Sequence, residues 1–185
     1  MDWRWQLGLM VIRGLANWLG HESDLSKLKD NPVRVFLAHA SEDKAIVRKI
    51  YATLLEQPGV KPWMDENEIL PGQDWDRMIS ESLENAQIAL ICLTNQAIKK
   101  LSTESYFQRE VNTIVDRANK KVSEEILIIP VLLESCVPPK LIARWQWASL
   151  DDKRGYNRLL DLIVEKSKLL NSVTRSSIAA NYAQE

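Results

Sequence analysis

The chain has 185 residues and a formal net charge of -1, from 24 basic and 25 acidic residues. This length suits one domain that can bury a core without disulfides or metals, and the balanced charge gives no reason to expect nucleic acid as a partner. The only cysteines, Cys92 and Cys136, lie far apart, and only two histidines accompany them. This composition argues against a disulfide framework and a structural zinc site, and it favours a reducing, cytoplasmic compartment.

The first 20 residues, MDWRWQLGLMVIRGLANWLG, would be apolar on most faces of a helix. The apolar run between Arg4 and Arg13 is too short to span a membrane, and the residues that follow are too large for signal-peptide cleavage. Three interpretations stay open. The helix packs on the main domain or on another copy, it lies on a membrane surface as a peripheral contact, or it is a remnant of a larger partner domain. The polar residues after it predict a linker, so that residues 1–31 form an N-terminal helix and linker.

The stretch Val33–Lys44, VRVFLAHASEDK, predicts a buried strand that ends at a polar turn and opens a helix. Its apolar residues are continuous rather than alternating, which is typical of a central strand covered on both faces. Ser41 is a candidate N-cap for a helix that begins at Glu42. If the strand is central, a ligand should sit beyond its carboxyl end, near His39, Ala40 and Ser41.

Further apolar strands alternate with helical patterns along the rest of the chain. The predicted strands are Val60–Met64, Ile88–Leu93, Ile126–Leu133 and a short Trp147–Leu150. The predicted helices are Glu42–Gln57, a helix that begins near Trp75, a helix capped by Ser102 or Thr103 that runs to Lys120, and Gly155–Leu170. The polar residues 171–185 predict a frayed tail. This alternation predicts an α/β fold, a flavodoxin-like three-layer sandwich with a five-stranded parallel sheet flanked by helices. In that strand order the first and third strands are neighbours, and their carboxyl ends form the ligand crevice.

Two other kinds of nucleotide or phosphate site do not fit this sequence. No Gly-rich phosphate motif follows that strand, and Glu42 and Asp43 would repel a pyrophosphate at the helix N-terminus. A phosphate-accepting receiver domain would need an aspartate at the end of the third strand, where Leu93 and Thr94 stand instead.

The segments FLAHASEDK, WMDENEILPGQDW, IALICLT and SYFQREV, in this order and spacing, resemble a Toll/interleukin-1 receptor (TIR) domain of the prokaryotic type. The later PVLLE, VPPKL and WQWASL resemble the last two strands of that family. The resemblance covers residues 32–170. It implies that residues 65–74 form the mobile BB loop of the family, which gates the pocket and mediates self-association, here through Ile69, Leu70 and Pro71.

The resemblance also implies an enzyme that breaks the nicotinamide–ribose bond of NAD, which is its substrate, with no further cofactor and no metal. The family uses a glutamate four residues after an aromatic, often Trp; here Glu110 follows Tyr106. The spacing independently places both residues on one helix face, about 100° from the apolar stripe that Phe107 begins. The predicted substrate-binding residues are His39, Ala40, Ser41, Trp63, Asp65, Leu70 and Tyr106.

Each of these residues also has an ordinary structural interpretation. Glu110 can be a solvated helix residue, His39 a structural histidine, Trp63 and Trp75 core residues, and Asp65 a cap of its loop. Arg109 and Arg117 are expected to face solvent.

Two functional hypotheses follow from the resemblance. The first is an NAD hydrolase or cyclase, activated by self-association in prokaryotic defence or effector signalling. The second is a non-catalytic scaffold or adaptor that acts by TIR–TIR association with its own copies or with other TIR domains. A host-directed virulence role is a third setting that the sequence does not separate from defence.

Overall fold

The computed structural model describes residues 32–64, 70–119 and 126–182, without the side chains of Trp75 and residues 173–182. The predictions for residues 1–31, Asp65 and Ile69 therefore lie outside the described residues. The chain divides into two compact units. The unit Pro32–Lys168 contains the sheet and its helices as far as Lys168, and the part of the last helix from Leu169 onward belongs to the other unit.

Five parallel strands form the sheet in the order β2-β1-β3-β4-β5. They are β1 (Val33–Ala38), β2 (Val60–Trp63), β3 (Ile88–Leu93), β4 (Leu127–Leu132) and β5 (Ala148–Ser149). Every residue of β3 is buried, as its unbroken apolar run requires in a sheet covered on both faces. The prediction of a flavodoxin-like α/β fold with a five-stranded parallel sheet is confirmed.

Five helices accompany the sheet in the described part of the chain. They are α1 (Lys44–Leu55), α2 (Trp75–Asn85), α3 (Asn95–Leu101), α4 (Tyr106–Asn119) and α5 (Lys153–Tyr182). The core combines strand residues with the buried stripes of α2 and α4, which include Leu83, Phe107, Val111 and Ile114. No helix in this part of the chain is long and apolar enough to cross a membrane.

The predicted helix from Ser102 or Thr103 to Lys120 is wrong at its start, because the helix in this region, α4, begins at Tyr106. The prediction missed α3, a short helix whose N-cap is Thr94: its Oγ1 accepts a hydrogen bond from the backbone N–H of Ala97 at 3.0 Å. The next helix begins at Tyr106, after Ser105, whose Oγ accepts from the N–H of Gln108 at 3.1 Å. Ser105 is thus the N-cap of α4, whereas the sequence pattern predicted Ser102 or Thr103.

The prediction that Ser41 caps the first helix is also wrong. Residues Ser41–Asp43 form a short 3₁₀ turn before α1, and its flanking residue Ala40 makes no side-chain cap. Ser41 is exposed and its hydroxyl bonds other side chains instead.

The last helix continues to Tyr182, well past the predicted end at Leu170. The segment after Leu170 contains neither Pro nor Gly, so that nothing in it forces the helix to stop. Polarity alone was the reason for predicting a frayed tail, and polarity does not end a helix.

Arg117 does not face solvent as predicted. It is partly buried on α4, and its guanidinium donates to the carbonyls of Leu83 and Ala86 at the end of α2. The guanidinium gives the Ala86 carbonyl a side-chain donor and adds a second donor to the Leu83 carbonyl, which also accepts from the backbone N–H of Ala86 at 3.2 Å. A cation at this position also lies favourably at the negative end of the helix dipole. The contact fixes the end of α2 against α4.

Candidate active site

The register of the sheet brings the end of β1 beside the end of β3, since Ala38 pairs with Ile91. The turn after β1 and the helices after β3 therefore meet at the carboxyl edge of the sheet. A cleft of about 500 Å³ opens there, a volume typical of small-molecule sites. The residues that line it include His39, Ser41, Lys44, Lys100, Tyr106 and Glu110.

Glu110 lies on α4, with its side chain in the cleft and only 8% of its surface exposed. Its neighbours Phe107, Val111 and Ile114 turn into the core, as the helical spacing predicts. A carboxylate held at the wall of a cleft with little water around it exerts a stronger electrostatic effect than one in bulk solvent. The ordinary interpretation of Glu110 as a solvated helix residue is wrong.

Tyr106 stands one turn before Glu110 and is 54% exposed, at the rim of the cleft. The guanidinium of Arg109, itself exposed, lies 4.2 Å from the centroid of the Tyr106 ring. This cation–π contact orients the ring on the outer face of α4. The described structure therefore brings the predicted Tyr106–Glu110 pair to one cleft.

His39 is buried directly after β1 and also lines the cleft. Its Nδ1 lies 3.1 Å from the carbonyl oxygen of Leu37. Because a carbonyl only accepts, Nδ1 must carry the hydrogen, and in the neutral ring Nε2 is then the acceptor nitrogen. His39 thus combines a structural hydrogen bond with a position in the cleft wall.

A small polar network crosses the mouth of the cleft from the turn after β1 to α3. The ammonium Nζ of Lys100 lies 2.7 Å from Oε2 of Glu42 and 2.9 Å from the hydroxyl of Ser41. The Ser41 hydroxyl in turn donates to Oε2 of Glu42 at 3.1 Å. The hydrogen bond from Lys100 is the main reason that the pKa of Glu42 lies below its usual range. Neither Lys44 nor Lys100 was predicted as a site residue.

A buried pair lies beneath this network. The Thr94 hydroxyl donates to both carboxylate oxygens of Asp43, at 2.9 and 3.2 Å, and both residues are buried. Burial raises the pKa of Asp43, and the hydrogen bonds from Thr94 oppose that rise. The pair ties the turn after β1 to the start of α3.

This raised pKa predicts a pH dependence of stability. The folded chain binds a proton at Asp43 more readily than the unfolded chain, so that the contribution of Asp43 to stability is full below its ordinary pKa of 3.8 and is lost as the pH rises through the folded value. We expect the free energy of unfolding of the wild type, relative to Asp43→Asn, to fall as the pH is raised from below 3.8. Urea unfolding of both proteins across this range measures it. A difference that stays flat or grows with pH would contradict the assignment.

The other predicted site residues lie elsewhere. Ala40 is fully buried in the core, and Trp63 stacks on Phe36 with ring centroids 4.8 Å apart and lines a separate pocket of about 200 Å³. Leu70 is 64% exposed in a turn closed by the Gln73 side chain, which accepts from the Leu70 N–H at 2.8 Å. None of these three is among the described residues that line the cleft, and as substrate contacts they stay predictions, as does Asp65.

Residues 35–163, more than half of the chain, match the family model described as TIR domain. The chain belongs to the TIR domain family. No group of three or more His, Cys, Asp or Glu side chains that could hold a metal ion occurs among the residues of this TIR domain that the structure describes.

Two curated bacterial relatives match over part of their length. The chain is 30% identical over 138 residues to a 2′ cyclic ADP-D-ribose synthase of Bacteroides thetaiotaomicron, covering 73% of this chain and 45% of that protein. It is 30% identical over 69 residues to an NAD(+) hydrolase of Paracoccus denitrificans, covering 37% of this chain and 23% of that protein. The chain thus spans less than half the length of either relative.

A solved structure shows the same fold. The TIR domain of a Toll-related receptor from Hydra magnipapillata superposes with a TM-score of 0.56 at 19% identity, covering 70% of this chain and 96% of that domain. At this identity the similarity concerns the fold alone.

Proposed function

We propose that this TIR domain cleaves the nicotinamide–ribose bond of NAD, releasing nicotinamide and either ADP-ribose or a cyclic isomer of it. The observation that carries the proposal is Glu110, a buried carboxylate in the wall of a ligand-sized cleft at the carboxyl edge of the sheet. The bacterial relatives, one named as an NAD hydrolase and one as a cyclic ADP-ribose synthase, support the same chemistry at modest identity.

The chemistry suits a carboxylate. Nicotinamide leaves as a neutral molecule, and positive charge develops on the ribose as the bond breaks. A carboxylate hydrogen-bonded to the ribose hydroxyls stabilises this charge more in the transition state than in the ground state, because the charge on the sugar is larger there. Glycosidases use carboxylates against a similar oxocarbenium-like centre. Glu110 therefore stabilises the ribosyl cation and orients the acceptor that attacks it.

The residues around Glu110 supply the rest of the pocket. Tyr106 presents an aromatic face at the rim, and His39 and Ser41 offer polar atoms from the turn after β1. The identity of the acceptor that reaches the ribosyl cation, water or a group of the substrate itself, decides between a linear and a cyclic product. The experiment that tests the proposal compares nicotinamide release from NAD by the wild type and by Glu110→Ala.

We further propose that self-association through the BB loop, residues 65–74, raises this activity. The described end of the loop presents an exposed Leu70 and Pro71 in a turn, and exposed apolar side chains at a loop tip favour association. Specific activity is expected to increase with protein concentration, and Leu70→Ser is expected to shift the increase to concentrations several-fold higher. Activity that is strictly proportional to protein over the whole range from monomer to assembly would contradict this coupling.

The alternative is a non-catalytic scaffold that binds other TIR domains through the same loop. The exposure of Leu70, 64%, favours an interaction role whether or not the cleft is active. The resemblance to prokaryotic TIR domains supports a setting in defence or effector signalling inside the cell for either function. Glu110 discriminates between them, because a scaffold has no need of a carboxylate buried in a cleft.

A further inference from the structure

Two lysines share the cleft with Glu110. Lys44, from the first turn of α1, and Lys100, from the end of α3, both line it and are half-buried. Cleavage of the nicotinamide–ribose bond as described above needs one carboxylate and gives neither lysine a role. Two cations in the wall of a cleft, on the other hand, favour an anionic ligand.

Lys100 is the better placed of the two for a defined contact. Its side chain is 27% exposed, and its ammonium is held by the carboxylate of Glu42 at 2.7 Å and by the hydroxyl of Ser41 at 2.9 Å. The Glu42 side chain is more exposed, at 47%. An ion pair with one exposed partner is a weak one, because water solvates the carboxylate almost as well as the lysine does.

We propose that Lys100 binds the pyrophosphate of the dinucleotide substrate and that the carboxylate of Glu42 competes with the substrate for this cation. The inference rests on the proposed function, because it takes NAD as the ligand of the cleft. It adds a substrate-binding residue and a built-in competitor that neither the sequence nor the family match assigns.

The chemistry of the substrate fits this arrangement. In NAD the pyrophosphate is attached to the 5′ carbon of the ribose whose bond breaks, so that a ligand with this ribose at Glu110 carries two negative charges close to it. Phosphate oxygens accept hydrogen bonds from an ammonium and a hydroxyl as a carboxylate does. Lys100 and Ser41 thus exchange one carboxylate for a doubly charged group, with Lys44 adding a second positive charge to the same wall.

The exchange is favourable on two counts. The pyrophosphate brings more negative charge than Glu42, and Glu42 regains solvent when it is displaced. Removal of the lysine therefore weakens substrate binding, whereas removal of the competing charge strengthens it. If the Lys100–Glu42 pair only stabilised the fold, loss of Lys100 and loss of the Glu42 charge would change substrate binding in the same direction.

The test measures nicotinamide release against NAD concentration, and binding of ADP-ribose by titration calorimetry, for Lys100→Met, Lys100→Arg and Glu42→Gln. Lys99→Met is the matched control, since Lys99 is the exposed neighbour on the same helix. We expect Lys100→Met to raise KM and the Kd of ADP-ribose about tenfold with little change in kcat. Lys100→Arg retains most of the affinity. Glu42→Gln lowers both constants about threefold, and Lys99→Met leaves both near wild type.

Two results would overturn the proposal. One is a Lys100→Met protein whose KM and ADP-ribose affinity equal those of Lys99→Met; the other is a Glu42→Gln protein that binds ADP-ribose more weakly than the wild type. A loss of binding through misfolding is separated from the expected effect by Lys100→Arg and by the gain in Glu42→Gln. Failure of the proposed function looks different, because the wild type then releases no nicotinamide under any condition, while the calorimetric titration still reports on Lys100.

Discussion

Glu110→Gln is expected to reduce nicotinamide release from NAD by at least about 10²–10³-fold, the loss typical of removing one electrostatic group that stabilises a transition state. The glutamine keeps the shape of the side chain and part of its hydrogen-bonding capacity but removes the negative charge that faces the ribosyl cation. Because Gln and Glu side chains have nearly the same volume, the variant should stay folded, with a cooperative thermal unfolding transition like that of the wild type. Rate assays and thermal melts on the same preparations measure both effects.

Asp116→Asn is the matched control for this variant. Asp116 lies on the same helix, is exposed, and is not among the described residues of the cleft. It loses the same charge on the same helix, but at an exposed position outside the lining of the cleft, so its turnover should be within about twofold of the wild type, as for a surface substitution remote from a site. Equal turnover in Glu110→Gln and Asp116→Asn would remove Glu110 from the mechanism.

Arg117→Met is expected to lower the free energy of unfolding by about 1.5–3 kcal/mol, the range for hydrogen bonds that involve a charged group. The methionine preserves the aliphatic stem but leaves the carbonyls of Leu83 and Ala86 without the guanidinium. Urea unfolding of the variant and the wild type measures this loss. An m-value equal to that of the wild type would show that both proteins expose the same surface on unfolding.

Arg77→Met separates this effect from the loss of any arginine. Arg77 is exposed on α2 and pairs with Glu81 one turn later, at 2.7 Å. Exposed pairs of this spacing contribute about 0.3–0.5 kcal/mol. If Arg117→Met proves no more destabilising than Arg77→Met, the guanidinium does not hold the end of α2.

The strands were the most predictable part of this fold. Runs such as Ile88–Leu93 are apolar without interruption, and only a strand covered on both faces accounts for such a run at that length. Helix ends were less predictable. The helix α3 has only seven residues, of which Ala97 is buried and Ile98 and Leu101 are partly buried, so its hydrophobic pattern was too short to show in the sequence. Because α3 was not predicted, the position of Lys100 in the cleft could not be predicted either.

In the candidate site, too, the residues at a local spacing were predictable and the contacts between distant parts of the chain were not. Tyr106 and Glu110 are four residues apart, and helical spacing together with the family resemblance brought them to one face. The Asp43–Thr94 bond joins residues 51 positions apart, and the Lys100–Ser41 bond joins residues 59 positions apart. No local pattern encodes such contacts, because they depend on which strands become neighbours and in which register. Arg117 was assigned to solvent for the same reason, as its carbonyl partners lie on another helix.

The measurement that tests the central claim most directly is nicotinamide release from NAD by the wild-type chain at high protein concentration, with and without a crowding agent, beside Glu110→Ala. We expect release by the wild type that a crowding agent increases and that Glu110→Ala abolishes. No release by the wild type under any assembling condition, or equal release by both proteins, would contradict the account. If the wild type releases no nicotinamide, the non-catalytic scaffold becomes the favoured function. The next experiment is then to identify the protein that binds the loop containing Leu70 and Pro71.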